Sequence, residues 1–326
     1  MNTKYLYWLG CFCCVVVLFA ALAFGYLRYQ EGRNVRGKYT FSNTRQNISR
    51  LAKITMITPE NGEINIVRQG EAWVFHEAHD YFANVEMLSE FYKMVNNSII
   101  LEVDSESSPD KFGLDLDADN KPKLGTIVRT YDDEGVLLDD VVLSSIADTH
   151  FHRYARLTNR PYIYTVTEAV RFSGSTEAWL PYPLFGIPLE VVESLVWNSE
   201  TYTGKNFEKL LQHSAKGRRV LHALQFVEYQ GLIPVMDFIE AYPEAKARNI
   251  RVITTTGLVY DMQVYYAEES YWLRVVLAST KVPRKAVPDF VRNNQKYFNK
   301  WLFQMTDEQG ALLYRTKLPT VKRKKS

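Results

Sequence analysis

The stretch His76-Glu77-Ala78-His79 carries the residue types of a zinc-protease helix, where two histidines hold one metal and a glutamate serves as base. That chemistry needs the histidines four residues apart; here they are three apart, and the stretch reads as a polar strand-to-helix connection. Asp115-Leu116-Asp117-Ala118-Asp119-Asn120 supplies the first three acidic positions of a calcium loop. The sixth position is Asn120 instead of glycine and the twelfth is Thr126 instead of a bidentate glutamate, so a solvated acidic turn is expected. Asp139-Asp140 offers two carboxylates, but neighbouring residues of a strand point to opposite faces and cannot flank one reacting bond. His150 and His152, beside Asp148, could share a strand face, with no third ligand indicated. No nucleophile elbow, phosphate-binding loop or dinucleotide fingerprint occurs. No catalytic, cofactor-binding or metal-ligating residue is therefore assigned, no cofactor is expected, and the chain is not expected to be an enzyme.

Composition narrows the partners. The 326 residues are 46% hydrophobic and 23% charged, an ordinary globular mixture with enough apolar material for one large core or two smaller ones. Thirty-nine basic and 37 acidic residues give a net charge of +2, which provides no broad field for nucleic acid. All three cysteines, Cys11, Cys13 and Cys14, fall in the amino-terminal apolar run, so the rest of the chain can form neither an internal disulfide nor a thiolate metal site. The 21 tyrosines and six tryptophans could line a groove for a sugar or peptide, although amphipathic strands explain them more simply.

From Leu6 to Leu27 about 22 residues pass without a charge, enough at 1.5 Å per residue to span a hydrocarbon core of roughly 30 Å. Tyr5, Tyr7 and Trp8 at one end and Tyr26 and Tyr29 at the other stand where an aromatic belt would lie, so a transmembrane helix is expected. A cleaved signal peptide is the competing reading, since Ala21-Leu22-Ala23 has suitable small-residue spacing, but the apolar run continues past it. Lys4 flanks one end and Arg28, Arg33, Arg36 and Lys38 the other, which taken alone would place the large domain in the cytoplasm.

The chain divides into a short tail at 1–5, the transmembrane helix at 6–27, a polar stalk at 28–49, halves at 50–198 and 199–317, and a basic tail at 318–326. A hairpin is expected from Leu51 with its turn at Asn61-Gly62, then a strand from Ala72 to Phe75. Val85, Leu88, Phe91, Tyr92 and Val95 fall at helical spacing. Strands follow at Ile99 to Val103, Thr126 to Leu143 with a turn at Asp132-Asp133-Glu134-Gly135, His152 to Leu157, and Tyr162 to Val166. A helix starting at Pro288 and carrying Phe290, Tyr297 and Trp301, and a terminal strand near Leu312, complete the plan. Leu88 to Ile100 lies on Leu221 to Ile233 without a gap, and Gly135 on Gly257. Two readings stay open: one β-α-β-hairpin unit used twice, or chance likeness between amphipathic elements. The fold class expected is α+β, a mostly antiparallel sheet domain with packed helices behind an amino-terminal transmembrane helix.

Trp73-Val74-Phe75 before the helix, Phe112-Gly113-Leu114-Asp115 before a glycine-centred hairpin, Arg153-Tyr154-Ala155-Arg156 leading to Tyr162-Ile163-Tyr164-Thr165-Val166, and Tyr297-Phe298-Asn299-Lys300-Trp301-Leu302-Phe303 recur in that order in a known family. Over most of residues 50 to 315 the chain resembles the membrane-anchored bacterial family called domain of unknown function 4340, related to gliding-motility-type ABC transporter auxiliary proteins. Two departures stand out: the usual proline is displaced to Pro122, and the second half has shorter loops. The resemblance implies a single-pass inner-membrane protein with its large domain in the periplasm, against the flanking charges, and supplies no catalytic residues. The expected function is a non-enzymatic, membrane-tethered accessory or scaffold protein of an envelope complex, associated with an ABC-type transporter. Its partners would be the bilayer and a membrane protein, with no nucleic acid. A periplasmic binding module for a glycan, lipid or peptide and an uncharacterised hydrolase are the alternatives.

Overall fold

Tight glycine-assisted turns and period-two burial organise the chain into α+β architecture with two mostly antiparallel sheets. The computed structural model describes residues 16–20, 22, 23, 26, 35–104, 108–149, 152–158, 160, 162–167 and 175–319. The chain separates into two units: the first takes the described residues up to Gly70 and Glu86–Ser175, the second takes Glu71–Val85 and the residues from Thr176 on.

In the first unit, β1 (Leu51–Thr58) and β2 (Gly62–Gln69) form the expected hairpin, with Gly62 at φ +68° and the Asn61 amide donating to Thr58 Oγ1 at 3.0 Å. The short strands β3 (Ala72–Phe75) and β4 (Tyr81–Phe82) pair in the second unit. Helix α1 (Ser42–Gln46) precedes the hairpin and helix α2 (Val85–Asn97) follows it. Then come β5 (Ile100–Asp104), β6 (Thr126–Asp132), β7 (Leu137–Thr149), β8 (His152–Leu157) and β9 (Ile163–Thr167). The first unit's strands lie in the order β2-β1-β6-β7-β8-β9-β5.

One face of that sheet buries Ile57, Ile127, Val142 and Ile163 under Leu114, which the loop after β5 carries. Helix α2 buries Leu88, Phe91, Met94 and Val95, the recurrence of one helical face. Phe91 is completely buried, so Phe91→Ala is expected to cost about 3–5 kcal/mol through lost transfer energy and the cavity left behind. A urea-unfolding midpoint unchanged from the parent chain would contradict that assignment.

The second unit contains β10 (Val192–Trp197), β11 (Glu200–Thr203), helices α3 (Gly204–His213) and α4 (Ala215–Gln225), β12 (Gly231–Pro234), α5 (Val235–Ala241), β13 (Arg248–Thr254), β14 (Leu258–Ala267), β15 (Ser270–Ser279), α6 (Val287–Asn294), β16 (Trp301–Gln304) and α7 (Asp307–Arg315). Its strands lie in the order β11-β10-β13-β14-β15-β16-β12. Taken in chain order, each strand occupies the place of its counterpart in the first unit. The likeness extends to irregularities. Between β1 and β6 the register slips between Leu51 and Lys53 opposite Asp132, and between β10 and β13 it slips between Val192 and Ser194 opposite Thr254. Asp132 and Thr254 then open equivalent turns: Gly135 and Gly257 have φ +78° and +85°, and each donates its amide to the opening residue's carbonyl. Asp132 Oδ1 also accepts from the Val136 amide at 2.8 Å, as Thr254 Oγ1 does from the Leu258 amide at 3.0 Å. Cross-strand Arg129–Asp140 matches cross-strand Arg251–Asp261.

Several expectations need correction. Residues 35–49 do not form a free stalk: Val35, Phe41 and Thr44 are buried, Tyr39 bridges to Ile99, and the Thr40 amide donates to the Ser98 carbonyl at 2.9 Å. Two scattered apolar residues and two buried threonines, Thr40 and Thr44, sufficed to dock a segment that lacks periodicity. The segment around Leu312 is helix α7, whose first turn carries Asp307 and Glu308 against the helix dipole, a local pattern that outweighs strand propensity. Trp301 belongs to β16, after the helix that begins near Pro288 has ended at Asn294. Strand β10 falls within the expected first half, 50–198, but hydrogen-bonds in the second sheet. Most of Leu6–Leu27, and residues 320–326 of the basic tail, lie outside the described residues. Among the described residues no helix is long and apolar enough to cross a membrane.

Candidate functional site

A cleft of about 440 Å³ in the first unit runs beside α1 and β7, lined by Ser42, Asn43, Asp139, Asp140, Thr158 and Arg160 among others. The two adjacent carboxylates have separate partners, as strand alternation requires. Asp139 Oδ2 accepts from the Thr44 amide at 2.7 Å and the Thr44 hydroxyl at 2.7 Å. Thr44 Oγ1 lies 2.6 Å from Thr130 Oγ1, and the Asp139 amide donates to Thr130 Oγ1 at 3.1 Å. Each hydroxyl has one proton, so the donors run in one direction: Asp139 amide to Thr130, Thr130 to Thr44, Thr44 to the Asp139 carboxylate. This closed ring fixes α1 onto the sheet and leaves the carboxylate engaged. Asp140 Oδ2 accepts from Arg129 Nε at 3.2 Å, and its Oδ1 is buried without a hydrogen-bond partner among the described residues.

Burial pushes the Asp139 carboxyl above its ordinary value, against the opposing pull of its Thr44 and Asn43 hydrogen bonds. A carboxyl whose folded value is raised binds its proton more readily in the native state, so its favourable contribution is present at acid pH and disappears as pH rises through the raised value. Asp139→Asn, which keeps an acceptor for the Thr44 amide, is expected to flatten this part of the stability curve. Parent and variant urea midpoints compared across the acidic range provide the test; parallel curves would count against it.

The other sequence candidates do not converge. His76 opens a short 3-10 turn and its Nδ1 lies 2.8 Å from Asp80 Oδ1, while His79 takes left-handed backbone at φ 53°. His152 begins β8, whereas His150 and the Asp148 side chain lie outside what the structure describes. Asp117 Oδ1 accepts from the Asp119 amide at 2.9 Å and the Lys121 amide at 2.8 Å, and Lys123 Nζ lies 2.7 Å from Asp115 Oδ2. The aspartates thus cap and balance their own turn, beside a cleft of about 690 Å³ that also receives Thr58, Glu63 and Arg129. Among the described residues no group of three or more His, Cys, Asp or Glu could hold a metal ion.

Aromatic residues in the second unit go chiefly into its core. Tyr81 makes edge-on contacts with Trp301 and Phe303 at 5.4 and 5.8 Å and donates its hydroxyl to the Tyr297 carbonyl at 3.1 Å. Tyr229 packs edge-on against Phe303 at 5.3 Å, and burial drives both phenols upward in pKa. Exposed exceptions include Tyr182 and Phe226, in edge-on contact at 5.4 Å, and Tyr266 and Phe290.

One arrangement had no advance signal in periodicity. After α7 the chain crosses back over β10 and β11: Trp197 Nε1 donates to the Thr316 carbonyl at 3.2 Å, Arg248 donates to that same carbonyl, and Tyr202 donates to the Pro319 carbonyl at 2.7 Å. Arg248 lies 5.9 Å from the Trp197 ring and 5.9 Å from that of Tyr314.

Comparison with protein-family models, curated proteins and solved structures finds no match.

Proposed function

We propose that this protein is a non-enzymatic, membrane-tethered accessory or scaffold protein of a bacterial envelope complex, built from two repeats of one β-α-β unit. The observation that carries the tether is the exposed apolar helix before the docked segment. Residues 16–20, 22, 23 and 26 are helical, with Val17 67% and Phe19 72% exposed, an arrangement unfavourable in water and favourable in lipid. Between Leu27 and Val35 only residues 28–34 intervene. Fully extended at about 3.5 Å per residue, they reach roughly 25 Å, so the first unit is held close to the headgroups.

The repeat reading is supported by the shared strand order, the matching register slips, and the paired Arg129–Asp140 and Arg251–Asp261 bridges. The resemblance in motif order to the domain of unknown function 4340 family, read from the sequence alone, supports a periplasmic domain and an ABC-type transporter partner. Alkaline carbonate extraction tests the tether: the full chain should remain in the membrane pellet and a chain starting at Val35 should be released. Quantitative release of the full chain would reject it. Crosslinking in mild detergent should recover a membrane-protein partner, and a carboxyl-terminal reporter fusion should be active only outside the cytoplasm; a chain that crosslinks to nothing removes the scaffold role.

A further inference from the structure

We infer that copies of this chain associate head to tail through the second unit, an acidic apolar patch on one copy seating against a basic apolar patch on the next. Both patches belong to described residues of that one unit, and the inference stands whether or not the chain is tethered to a membrane.

The first patch is the outer side of α5 and the segment after it. From Pro234 to Ala245 the chain carries Asp237, Glu240 and Glu244 and no cation. All three carboxylates are exposed, and none makes an ion pair or a side-chain hydrogen bond among the described residues. Among them Met236 and Ile239, three residues apart on one helical side, are 72% and 50% exposed, while Val235 and Phe238 take the buried side. Glu268 and Glu269, exposed in the β14–β15 turn, extend this surface, and Glu268 Oε2 accepts from the Tyr242 hydroxyl at 2.8 Å.

The second patch is the loop leading into α6. From Thr280 to Pro288 the chain carries Lys281, Arg284 and Lys285 and no carboxylate side chain. These three side chains are exposed without an ion pair among the described residues, whereas Arg292 further on is already paired with Asp289. Val282 stands out at 90% exposed, with Phe290 exposed at the start of α6. The backbone holds the loop in place: the Thr280 amide donates to the Gly257 carbonyl at 2.9 Å and the Arg284 amide to the Thr256 carbonyl at 2.8 Å.

The β14–β15 hairpin keeps the two patches apart. Helix α5 packs on Tyr265, Ala267 and Trp272 near the hairpin turn, and the basic loop is bonded to Thr256 and Gly257 at the other end, where Leu258 pairs with Ser279. Ten paired residues at about 3.3 Å each place roughly 30 Å of strand between the ends. Charges so separated cannot neutralise one another within one molecule, but they can between neighbouring copies. Each exposed apolar pair then meets another inside a rim of opposite charge, and because the two surfaces differ, every contact leaves a free patch at each end for a further copy.

The test follows the protein mass of the full chain in neutral detergent by light scattering as concentration rises. The parent should pass from monomer to dimer and higher species by about 100 µM at low salt, and dissociate at high salt. Asp237→Lys with Glu240→Lys, or Lys281→Glu with Lys285→Glu, should each weaken association at least about tenfold. An equimolar mixture of these two variants should recover it, since one then carries only basic patches and the other only acidic ones. Val282→Ser, which changes no charge, should weaken it about fivefold. All five positions are exposed, so the variants should unfold in urea with the parent. A parent that stays monomeric throughout, association indifferent to any of these substitutions, or a mixture that fails to recover overturns the inference. Oligomers that survive both charge reversals would place the contact elsewhere on the chain and overturn it equally.

Discussion

Gly310→Ala is expected to destabilise the second unit by about 3 kcal/mol or more, although the same exchange in an exposed helix interior would stabilise by roughly 1 kcal/mol. Gly310 lies inside α7, so helix propensity alone favours alanine. A methyl group there would meet Tyr271 Cγ at 2.5 Å and Cδ2 at 2.8 Å, and would overlap Tyr271 Cβ more closely still. Tyr271 Cβ is joined directly to the backbone of β15, so no side-chain rotation can relieve the overlap. Either α7 lifts from the sheet or the strand shifts, and both disturb the core around buried Leu313. Urea unfolding followed by tryptophan fluorescence reads the effect; a variant as stable as the parent would show that the helix does not press on the sheet as described. Lifting α7 should also loosen the strap that follows it, raising protease cleavage after Lys317.

Asp132→Ala should cost about 2–4 kcal/mol, the second large effect, because one buried carboxylate serves three partners. It is 6% exposed; Oδ1 accepts from the Glu134 and Val136 amides at 3.0 and 2.8 Å, and Oδ2 lies 2.9 Å from Arg50 Nη2. Removal leaves two turn amides without their acceptor and releases Arg50, which also reaches Asp133 and Glu134. The corresponding change in the second unit, Thr254→Ala, removes a neutral hydroxyl that accepts from the Leu258 amide and also lies 2.8 Å from Thr256 Oγ1, without any ionic partner, and should cost less, about 1–2 kcal/mol. The ordering of the two variants is the informative result. Equal losses would mean that ionic contacts at the first turn contribute nothing beyond the shared capping geometry.

Much of the fold could be read from local pattern. Asn61-Gly62 and Asp132 to Gly135 announce turns because glycine reaches positive φ without strain, and α2 shows its buried face at helical spacing. Turns built without glycine are less legible. The β10–β11 hairpin turns through Asn198 and Ser199 at φ 47° and 75°, and β14–β15 through Glu268 and Glu269 at 44° and 58°. Residues that carry a Cβ seldom take such angles, so the sequence offers little warning of them. The docking of residues 35–49 was hidden for another reason: Thr44 finds Asp139 across 95 positions of chain, and no local window contains both. The same holds for the strap, where Tyr202 and Pro319 meet across 117 positions. The spacing of the aspartates at 115–119 announces an acidic turn, and Asp117 does cap its own turn; the role of Asp139 as a clamp could not be seen until its partners were in place.

The common strand order has a consequence for biosynthesis. Two halves that follow one pairing scheme, down to the same arginine–aspartate bridge, present each other with interchangeable edges while the chain is still unfolded, so β1 meets both β6 and β13 as candidates. The Asp132 turn, clamped by Arg50 just ahead of β1, gives the first half a private lock that the Thr254 turn lacks. Emerging first from the ribosome, the first sheet's central strands can close around that lock before their look-alikes are synthesised, which makes Arg50 a guard against misassembly as well as a surface charge.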